Sequence, residues 1–405
     1  MNDLARIPLE DLKVGMFVEA VESTETQCPI KQAGIVRSEA ILMALHQYGV
    51  RFVLVKPTDH RFTSPEPAGS HEIKAEAETP DHPSPQAPLT ARVGKVLDMA
   101  KYAENQLKHV CMRIETVGPK DFEVLSHIAS DLNAILTEDP VATMMLVRLH
   151  DAQPKVYDHS INTALLCGMF AHDMGFEEAI CHDLLMAGLL HDVGLSIMPK
   201  RILEKQDNLT QQESKILKGH VEVVNEILTA QYPDLSEIAL SAIRHHHERM
   251  DGSGYPKGLA DEDISFWGKI LGIVDAYESM TSSRYHAKRM TNNEALAELF
   301  KHSGTQFDKA LVAMFANFVG AYPAGSCVLC NKQLHNYLGL VTQPNPVFAL
   351  KPQLVVFYDV DTSRSIPTEH WDLRFEQDTF IEKAVNCEEY TGAIDAFQLL
   401  NRLSA

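Results

Sequence analysis

The chain has 405 residues, enough for two or three domains, and 45% of them are hydrophobic, which is ample for a core. Its formal net charge of −19 argues against non-specific binding to DNA or RNA, although a metal cluster can still create a local positive site for a small anion. Seven cysteines without a signal-peptide pattern, and apolar runs too short to cross a bilayer, predict a cytoplasmic protein with no membrane contact.

Residues 1–61 predict a small α/β domain with a regulatory or docking role. Gly15–Val18 and Arg51–Val55 have strand composition, and Ser38 can cap a helix that runs to Tyr48 between them. Residues 62–92 contain six prolines among Glu, Ser and Ala. Such a composition buries little apolar surface, so this stretch is predicted to be a flexible linker.

Residues 93–322 predict a helical bundle, because apolar residues recur there at intervals of three and four. The helices are expected over 93–115, 121–136, 141–150, 160–173, 178–190, 211–229, 234–246 and 266–281. Residues 323–405 change character, and apolar stretches such as Leu354–Tyr358 predict a β-rich extension. The fold class is therefore mainly α, with a small α/β domain before the bundle and a β-rich tail after it.

A set of histidines and aspartates carries the strongest chemical signal. His246 and His247 stand side by side at the start of a segment that continues through a glycine-rich turn to Tyr255 and Pro256. The other members of the set are spread over the helical region: His159, His191, Asp192, His220 and Asp275. Imidazoles and carboxylates are ligands of first-row metals, so the set predicts a polynuclear metal site gathered from several helices.

The local pattern around two of these pairs supports that interpretation. His191 and Asp192 follow the apolar run 184–190, so a helix that ends there presents both side chains at its C-terminal end. Such a pair can bind one ion through the imidazole while the carboxylate bridges to a second. His246 and His247, if helical, lie about 100° apart around the axis and can serve one cluster or two ions.

Each residue also has a simpler structural explanation. A single histidine on an apolar helix is often a core residue with satisfied hydrogen bonds, and Asp275 could pair with an arginine. His182 and Asp183 form the same dipeptide nine residues earlier, and we expect that pair to lie at the surface. Cys327 and Cys330 form a lone Cys-x-x-Cys in a predicted strand, which does not suffice for a zinc site because no second pair has matching spacing.

The order and spacing of several segments resemble those of a known family. The matching segments are 157–162, 189–194, 198–203, 209–213, 219–220, 246–259, 274–275 and 281–284. Over residues 126–322 the chain resembles the HD-GYP family of cyclic di-GMP phosphodiesterases, a branch of the HD superfamily. Residues 5–60 resemble the uncharacterised N-terminal domain that is often fused to such enzymes.

The resemblance implies a ligand set and an activity. The implied ligands are His159, His191, Asp192, His220, His246, His247 and Asp275. They would hold two divalent transition-metal ions, iron or manganese, with Asp192 bridging them and with His191 and Asp192 central to catalysis. A hydroxide between the ions would then hydrolyse cyclic di-GMP to pGpG, with further hydrolysis to GMP left open.

The family resemblance also concerns the segment Gly254, Tyr255 and Pro256. In the family this signature loop is linked to substrate access and to contacts with GGDEF-domain partners. An equally simple interpretation is a rigid turn that orients His246 and His247. For residues 93–115, both packing into the bundle and dimerisation of the chain are open uses.

Three positions depart from the family pattern. Leu195 replaces a lysine thought to contact the substrate phosphate, and Lys155 replaces a glutamate that holds a third metal in some members. Ala287 replaces a basic residue, whereas Arg284 keeps one guanidinium for a phosphate or a guanine edge. The substitution at Leu195 could cost about one to two decades of rate, since one charge-assisted contact is worth roughly 1.5–3 kcal/mol.

These observations predict a metal-dependent phosphodiesterase of bacterial second-messenger signalling, acting on cyclic di-GMP or a related cyclic dinucleotide. The competing hypothesis is a cyclic-dinucleotide receptor or GGDEF-interaction module with little or no turnover. It follows from Leu195 and Ala287, which replace basic residues that the family pattern expects to contact the substrate. A third hypothesis is hydrolysis of a different phosphoester.

Overall fold

The computed structural model describes residues 5–13, 16–23, 34–36, 42–43, 45–46, 50–55, 87–114, 116, 118–149, 156–203, 205, 207–282, 289–376 and 378–391. The chain divides into two compact units, Met1–Leu89 and Thr90–Ala405. Most of the predicted helix after Ser38 and residues 62–86 of the predicted linker lie outside the described residues.

The first unit contains a four-stranded antiparallel sheet in the order β1-β4-β2-β3. Its strands are β1 Ala5–Pro8, β2 Phe17–Ser23, β3 Gly34–Ile35 and β4 Val50–Val55. Strand β4 is central, and its residues Val53 and Val55 are buried, as expected for a β-branched strand with one covered face. The predicted strand at 15–18 overlaps only the start of β2, whereas the predicted strand at 51–55 lies within β4.

The second unit is mainly helical, as predicted. Its helices are α1 Leu89–Met112, α2 Pro119–Glu138, α3 Pro140–Leu149, α4 Val156–Asp173, α5 Glu178–Leu190, α6 Lys200–Leu203, α7 Gln211–Lys218, α8 His220–Gln231, α9 Glu237–His245, α10 Phe266–Thr281, α11 Asn292–Lys301 and α12 Lys309–Val319. Helix α1 begins four residues before the boundary that we predicted at residue 93. Eight of its residues are buried within the single chain, so its apolar face packs into the bundle.

The helix predicted over 211–229 is two helices, and this difference matters for the site. Helix α7 begins at the Thr210 cap, whose hydroxyl accepts a hydrogen bond from the Glu213 amide, and it ends at Gly219. Glycine is the weakest residue in a helix interior apart from proline, so the axis can change there. His220 consequently stands at the first position of α8.

Helices α4 and α5 pack closely because Gly188 has no side chain at their contact. A Cβ placed on Gly188 would lie 2.4 Å from the Cα of Ala164. The segment Glu178–Ile197 is apolar and long enough to span a membrane by composition, but 72% of it is buried inside the protein. It is therefore a core element of the bundle.

A five-stranded antiparallel sheet follows the helices, as predicted for the C-terminal region. Its strands are β5 Cys327–Lys332, β6 His335–Gln343, β7 Gln353–Asp359, β8 Arg364–Asp372 and β9 Thr379–Ala384, in the order β8-β7-β6-β5-β9. One face covers its own core, which includes Val328, Cys330, Val356 and Trp371. The short helix α13, Glu388–Thr391, follows β9.

Candidate metal centre

The seven predicted ligands come together within the helical bundle, each at a helix terminus or on a buried helix face. His159 lies in the first turn of α4, and His191 and Asp192 directly follow α5. His220 begins α8, His246 and His247 directly follow α9, and Asp275 lies within α10. Residues on or next to five helices therefore contribute to the cluster.

One half of the cluster surrounds His159. Its Nε2 atom lies 3.2 Å from Nε2 of His191, 3.0 Å from Oδ1 of Asp275 and 3.7 Å from Oδ2 of Asp192. In the described part of the chain, the close contacts of Asp275 are with imidazoles. The structure therefore favours these contacts over the arginine partner that was the alternative for Asp275. Ligand atoms of His159, His191 and Asp192 all lie within 4.8 Å of one another.

The other half of the cluster is built around His220. Its Nε2 atom lies 3.4 Å from Oδ1 of Asp192, and its ring centroid lies 5.2 Å from that of His247. Ligand atoms of Asp192, His220, His246 and His247 also lie within 4.8 Å of one another. Asp192 belongs to both halves and presents a different oxygen to each, so among the described residues it is the side chain that the two groups of ligand atoms share.

The orientation of three histidines follows from hydrogen bonds to backbone carbonyls just before them in the chain. Their Nδ1 atoms donate to backbone carbonyl oxygens three residues earlier: His191 to Gly188 at 2.8 Å, His220 to Leu217 at 2.7 Å and His246 to Ile243 at 2.7 Å. A carbonyl can only accept, so each Nδ1 carries the proton and each Nε2 keeps a lone pair directed into the cluster.

The surroundings of two of these Nε2 atoms indicate whether the residues suit a metal. The Nε2 atoms of His220 and His246 are buried and accept no hydrogen bond within the described part of the chain. A buried polar atom without a partner is unfavourable, and a cation would supply one. A donor set of nitrogen and oxygen without thiolate also fits iron or manganese better than structural zinc.

Glu278 is a functional residue that the sequence analysis missed. It is 2% exposed, and its carboxylate accepts hydrogen bonds from Nδ1 of His159 and from Nδ2 of Asn162 at 3.2 Å. A carboxylate behind a metal-binding histidine fixes the ring and raises its basicity. The sequence feature that could have identified Glu278 is its spacing of three from Asp275, which places two acidic residues on one face of an apolar helix.

The pKa values of the cluster residues favour the protonation states in which these side chains bind a cation. Burial lowers the pKa of His191, lowers that of His246 well below its ordinary value, and lowers that of His247 to about 4. Burial disfavours ionisation of Asp192, but His191, His220 and His159 outweigh it and lower its pKa. His191, His246 and His247 are thus neutral and Asp192 is charged at neutral pH, as metal binding requires.

The Gly254–Tyr255–Pro256 loop lies directly against the cluster. The ring of Tyr255 stacks on His247 with centroids 4.5 Å apart, and the Tyr255 amide donates to the His247 carbonyl at 3.1 Å. Glu248 is buried and accepts hydrogen bonds from the amides of Lys257 and Leu259, at 2.8 and 2.9 Å. The loop therefore supports His247, in agreement with the rigid-turn interpretation.

The residues that depart from the family pattern are only partly described. Leu195 lies half-buried in the 3-10 helix Val193–Ile197, next to the cluster in sequence. Lys155, Arg284 and Ala287 lie outside the described residues. Arg289 donates to the carbonyls of Thr281 and Arg148, at 2.8 and 2.6 Å.

The His182–Asp183 pair lies apart from the cluster. His182 is half-buried and contacts the Ser126 carbonyl oxygen at 3.0 Å, so the prediction of a surface position was only partly right. Its hydrogen bond with Asp183 raises the pKa of His182. The same dipeptide thus serves helix packing here and the cluster at 191–192.

Two known domain families match the chain, each over its own range of residues. Residues 142–311 match the HD domain, and residues 4–116 match a domain of unknown function (DUF3391), a range that crosses the predicted linker. A cyclic di-GMP phosphodiesterase of Pseudomonas aeruginosa is 27% identical over 91% of this chain and 89% of its own length. A 3′3′-cGAMP-specific phosphodiesterase of Vibrio cholerae is 35% identical over 38% of this chain and 30% of its own length.

A solved structure supports the fold. The HDG"Y"P protein from Bdellovibrio bacteriovorus superposes with a TM-score of 0.50, covering 78% of this chain and 99% of that one. The identity is 12%, so this similarity concerns the fold alone.

Proposed function

The chain carries an HD domain, and we propose that it is a metal-dependent phosphodiesterase that hydrolyses cyclic di-GMP, or a related cyclic dinucleotide, to the linear dinucleotide. For cyclic di-GMP that product is pGpG. The observation that carries the proposal is the position of Asp192, whose two oxygens lie 3.4 Å from Nε2 of His220 and 3.7 Å from Nε2 of His159. The relatives named as cyclic dinucleotide phosphodiesterases support this substrate class.

The ligand assignment follows the two halves of the cluster. We assign one divalent ion to His159, His191, Asp192 and Asp275, and a second to Asp192, His220, His246 and His247. When bound, such ions activate water at neutral pH and neutralise charge that develops on a phosphodiester. Iron or manganese is the pair of metals that this nitrogen and oxygen donor set favours.

The chain's own residues prepare this chemistry. Glu278 fixes His159, and the carbonyls of Gly188, Leu217 and Ile243 fix the tautomers of the other inward-facing histidines. These bonds place the nitrogen lone pairs before an ion arrives, so little reorganisation is needed on binding. Burial of His159, His191 and His246 keeps bulk water from the far side of the cluster.

The binding-module alternative has one observation in its favour, because Leu195 offers no charge beside the cluster. GGDEF-domain partners remain a prediction of the family resemblance, as do homodimerisation and a cytoplasmic location. A receptor would bind the nucleotide without turning it over. Hydrolysis and binding must therefore be measured on the same preparation.

The test compares wild type with Asp192→Asn and with Asp183→Asn, which changes the aspartate of the other His-Asp pair. Anaerobically purified proteins are incubated with cyclic di-GMP and, separately, with 3′3′-cGAMP, and the products are separated by chromatography. We expect wild type and Asp183→Asn to form the linear dinucleotide and Asp192→Asn to form none. Equal turnover by wild type and Asp192→Asn would refute the proposed site, and binding without turnover by wild type would favour the receptor.

A further inference from the structure

We propose that Lys218 contacts a phosphate of the substrate at the edge of the metal centre and supplies there the positive charge that Leu195 does not. The inference rests on the proposed function and assigns a substrate-binding residue to it. Lys218 is the last residue of α7, two positions before the predicted ligand His220.

The contacts of Lys218 place its ammonium group beside the cluster. Its Nζ atom lies 4.9 Å from the centroid of the Tyr255 ring, in cation–π geometry. The same ring stacks on His247 and lies 6.3 Å, between centroids, from His220. One aromatic side chain thus connects the lysine with two predicted ligands.

The backbone near Lys218 and the backbone near Leu195 both lie beside His220. A Cβ on Gly194 would lie 2.4 Å from the carbonyl oxygen of His220, so the backbone just before Leu195 packs directly on the start of α8. Lys218 ends α7 two positions before His220, and its ammonium group lies over the Tyr255 ring. A cation at 218 can therefore act at the edge of the site where the family pattern expects a cation at 195.

The ammonium group is available for an anion. Lys218 is exposed, and it forms no ion pair with any carboxylate among the described residues, whereas the nearby Lys205 pairs with Glu213 at 2.5 Å. A contact with an aromatic face leaves the ammonium protons free for a stronger acceptor, and a phosphate oxygen is such an acceptor. A flexible lysine beside a dinuclear site is suited to a point contact with phosphate.

The test uses Lys218→Met, with Lys215→Met as the matched control on the same helix, because Lys215 is also exposed and forms no ion pair with a described carboxylate. For each variant we measure kcat and KM for cyclic di-GMP, equilibrium binding of cyclic di-GMP, and metal content. Lys218→Met should raise KM and the dissociation constant roughly 10- to 100-fold, the size of one lost charge-assisted contact. Its metal content should stay that of wild type, and Lys215→Met should match wild type throughout.

A second variant tests whether a lysine at position 195 can replace the positive charge of Lys218. Adding Leu195→Lys to Lys218→Met should recover at least part of the lost affinity, and a double variant no better than Lys218→Met would contradict the shared role. Equal KM and binding for Lys218→Met and Lys215→Met would overturn the assignment while leaving the proposed function intact. Wild type that neither binds nor hydrolyses the nucleotide would overturn both.

Discussion

Glu278 accepts a hydrogen bond from Nδ1 of His159 across 119 positions of sequence, and both side chains are buried. The bond directs Nε2 of the histidine into the cluster. Replacing Glu278 by Gln keeps the shape but removes the negative charge behind the ring. We expect Glu278→Gln to weaken metal binding about 10- to 100-fold, measured by competition with a chromogenic chelator.

The matched control for this change is Ser282→Ala. Its hydroxyl donates to the Glu278 carboxylate at 3.3 Å, so the variant removes a neighbouring donor and leaves the contact with His159. Ser282→Ala should keep nearly the affinity of wild type. If Glu278→Gln binds metal as tightly as wild type, Glu278 does not position His159.

The close packing of α4 and α5 predicts a steric penalty at Gly188. A Cβ there would lie 2.4 Å from the Cα of Ala164, and backbone cannot move aside as a flexible side chain does. Gly188→Ala should therefore destabilise the protein by about 1–3 kcal/mol in denaturant unfolding monitored by circular dichroism.

Gly94 in α1 is the control for this change, because a Cβ placed there meets no described atom within 4 Å apart from its chain neighbours and the backbone of its own helix. Gly94→Ala should stabilise the helix by about 0.4–1 kcal/mol, since alanine restricts the unfolded chain. The opposite signs distinguish packing from helix propensity. Equal effects of the two substitutions would contradict the role assigned to Gly188.

The lowered pKa of His245 predicts that the free energy of unfolding depends on pH. Burial, with Lys257 and Arg244 nearby, lowers its pKa from the ordinary 6.5 to about 4, and its Nδ1 accepts a hydrogen bond from the Ser265 amide at 3.0 Å. Between pH 6.5 and pH 4 the unfolded chain therefore binds a proton that the folded chain does not. The stability that neutral His245 contributes is present above pH 6.5 and is lost as the pH falls toward 4.

The measurement is the melting temperature of metal-free His245→Asn and wild type across that pH range. Asparagine can accept the same hydrogen bond but does not titrate. We expect its melting temperature to fall less steeply than that of wild type between pH 6.5 and 4. Parallel curves would show that His245 does not contribute to the slope.

Much of the fold and of the cluster could be predicted from the sequence. The apolar periodicity gave the bounds of α5 and α10 correctly, because both helices are buried and their patterns are strong. The predicted ligands share a plain feature, namely that His191, His220 and His246 stand at helix termini. Periodicity marked the helix ends at His191 and His246, whereas His220 lies inside the single helix predicted over 211–229, and the ligand set as a whole was implied by the family resemblance.

Other features depend on contacts that no local pattern contains. Glu278 is one of many acidic residues until α4 brings His159 against it. The contact of Lys218 with Tyr255 joins a helix end to a loop 37 positions later, and only the tertiary structure reveals it. The break at Gly219 was missed because the apolar spacing continues across it, although the helix does not.

The central claim is that Asp192 joins two ions, and metal analysis tests it most directly. Wild type and Asp192→Ala are loaded with manganese and desalted, the ions per chain are counted by mass spectrometry, and electron paramagnetic resonance reports magnetic coupling between them. We predict two coupled ions per wild-type chain and at most one, uncoupled, in Asp192→Ala. A single ion in wild type, or two ions retained without Asp192, would contradict the account.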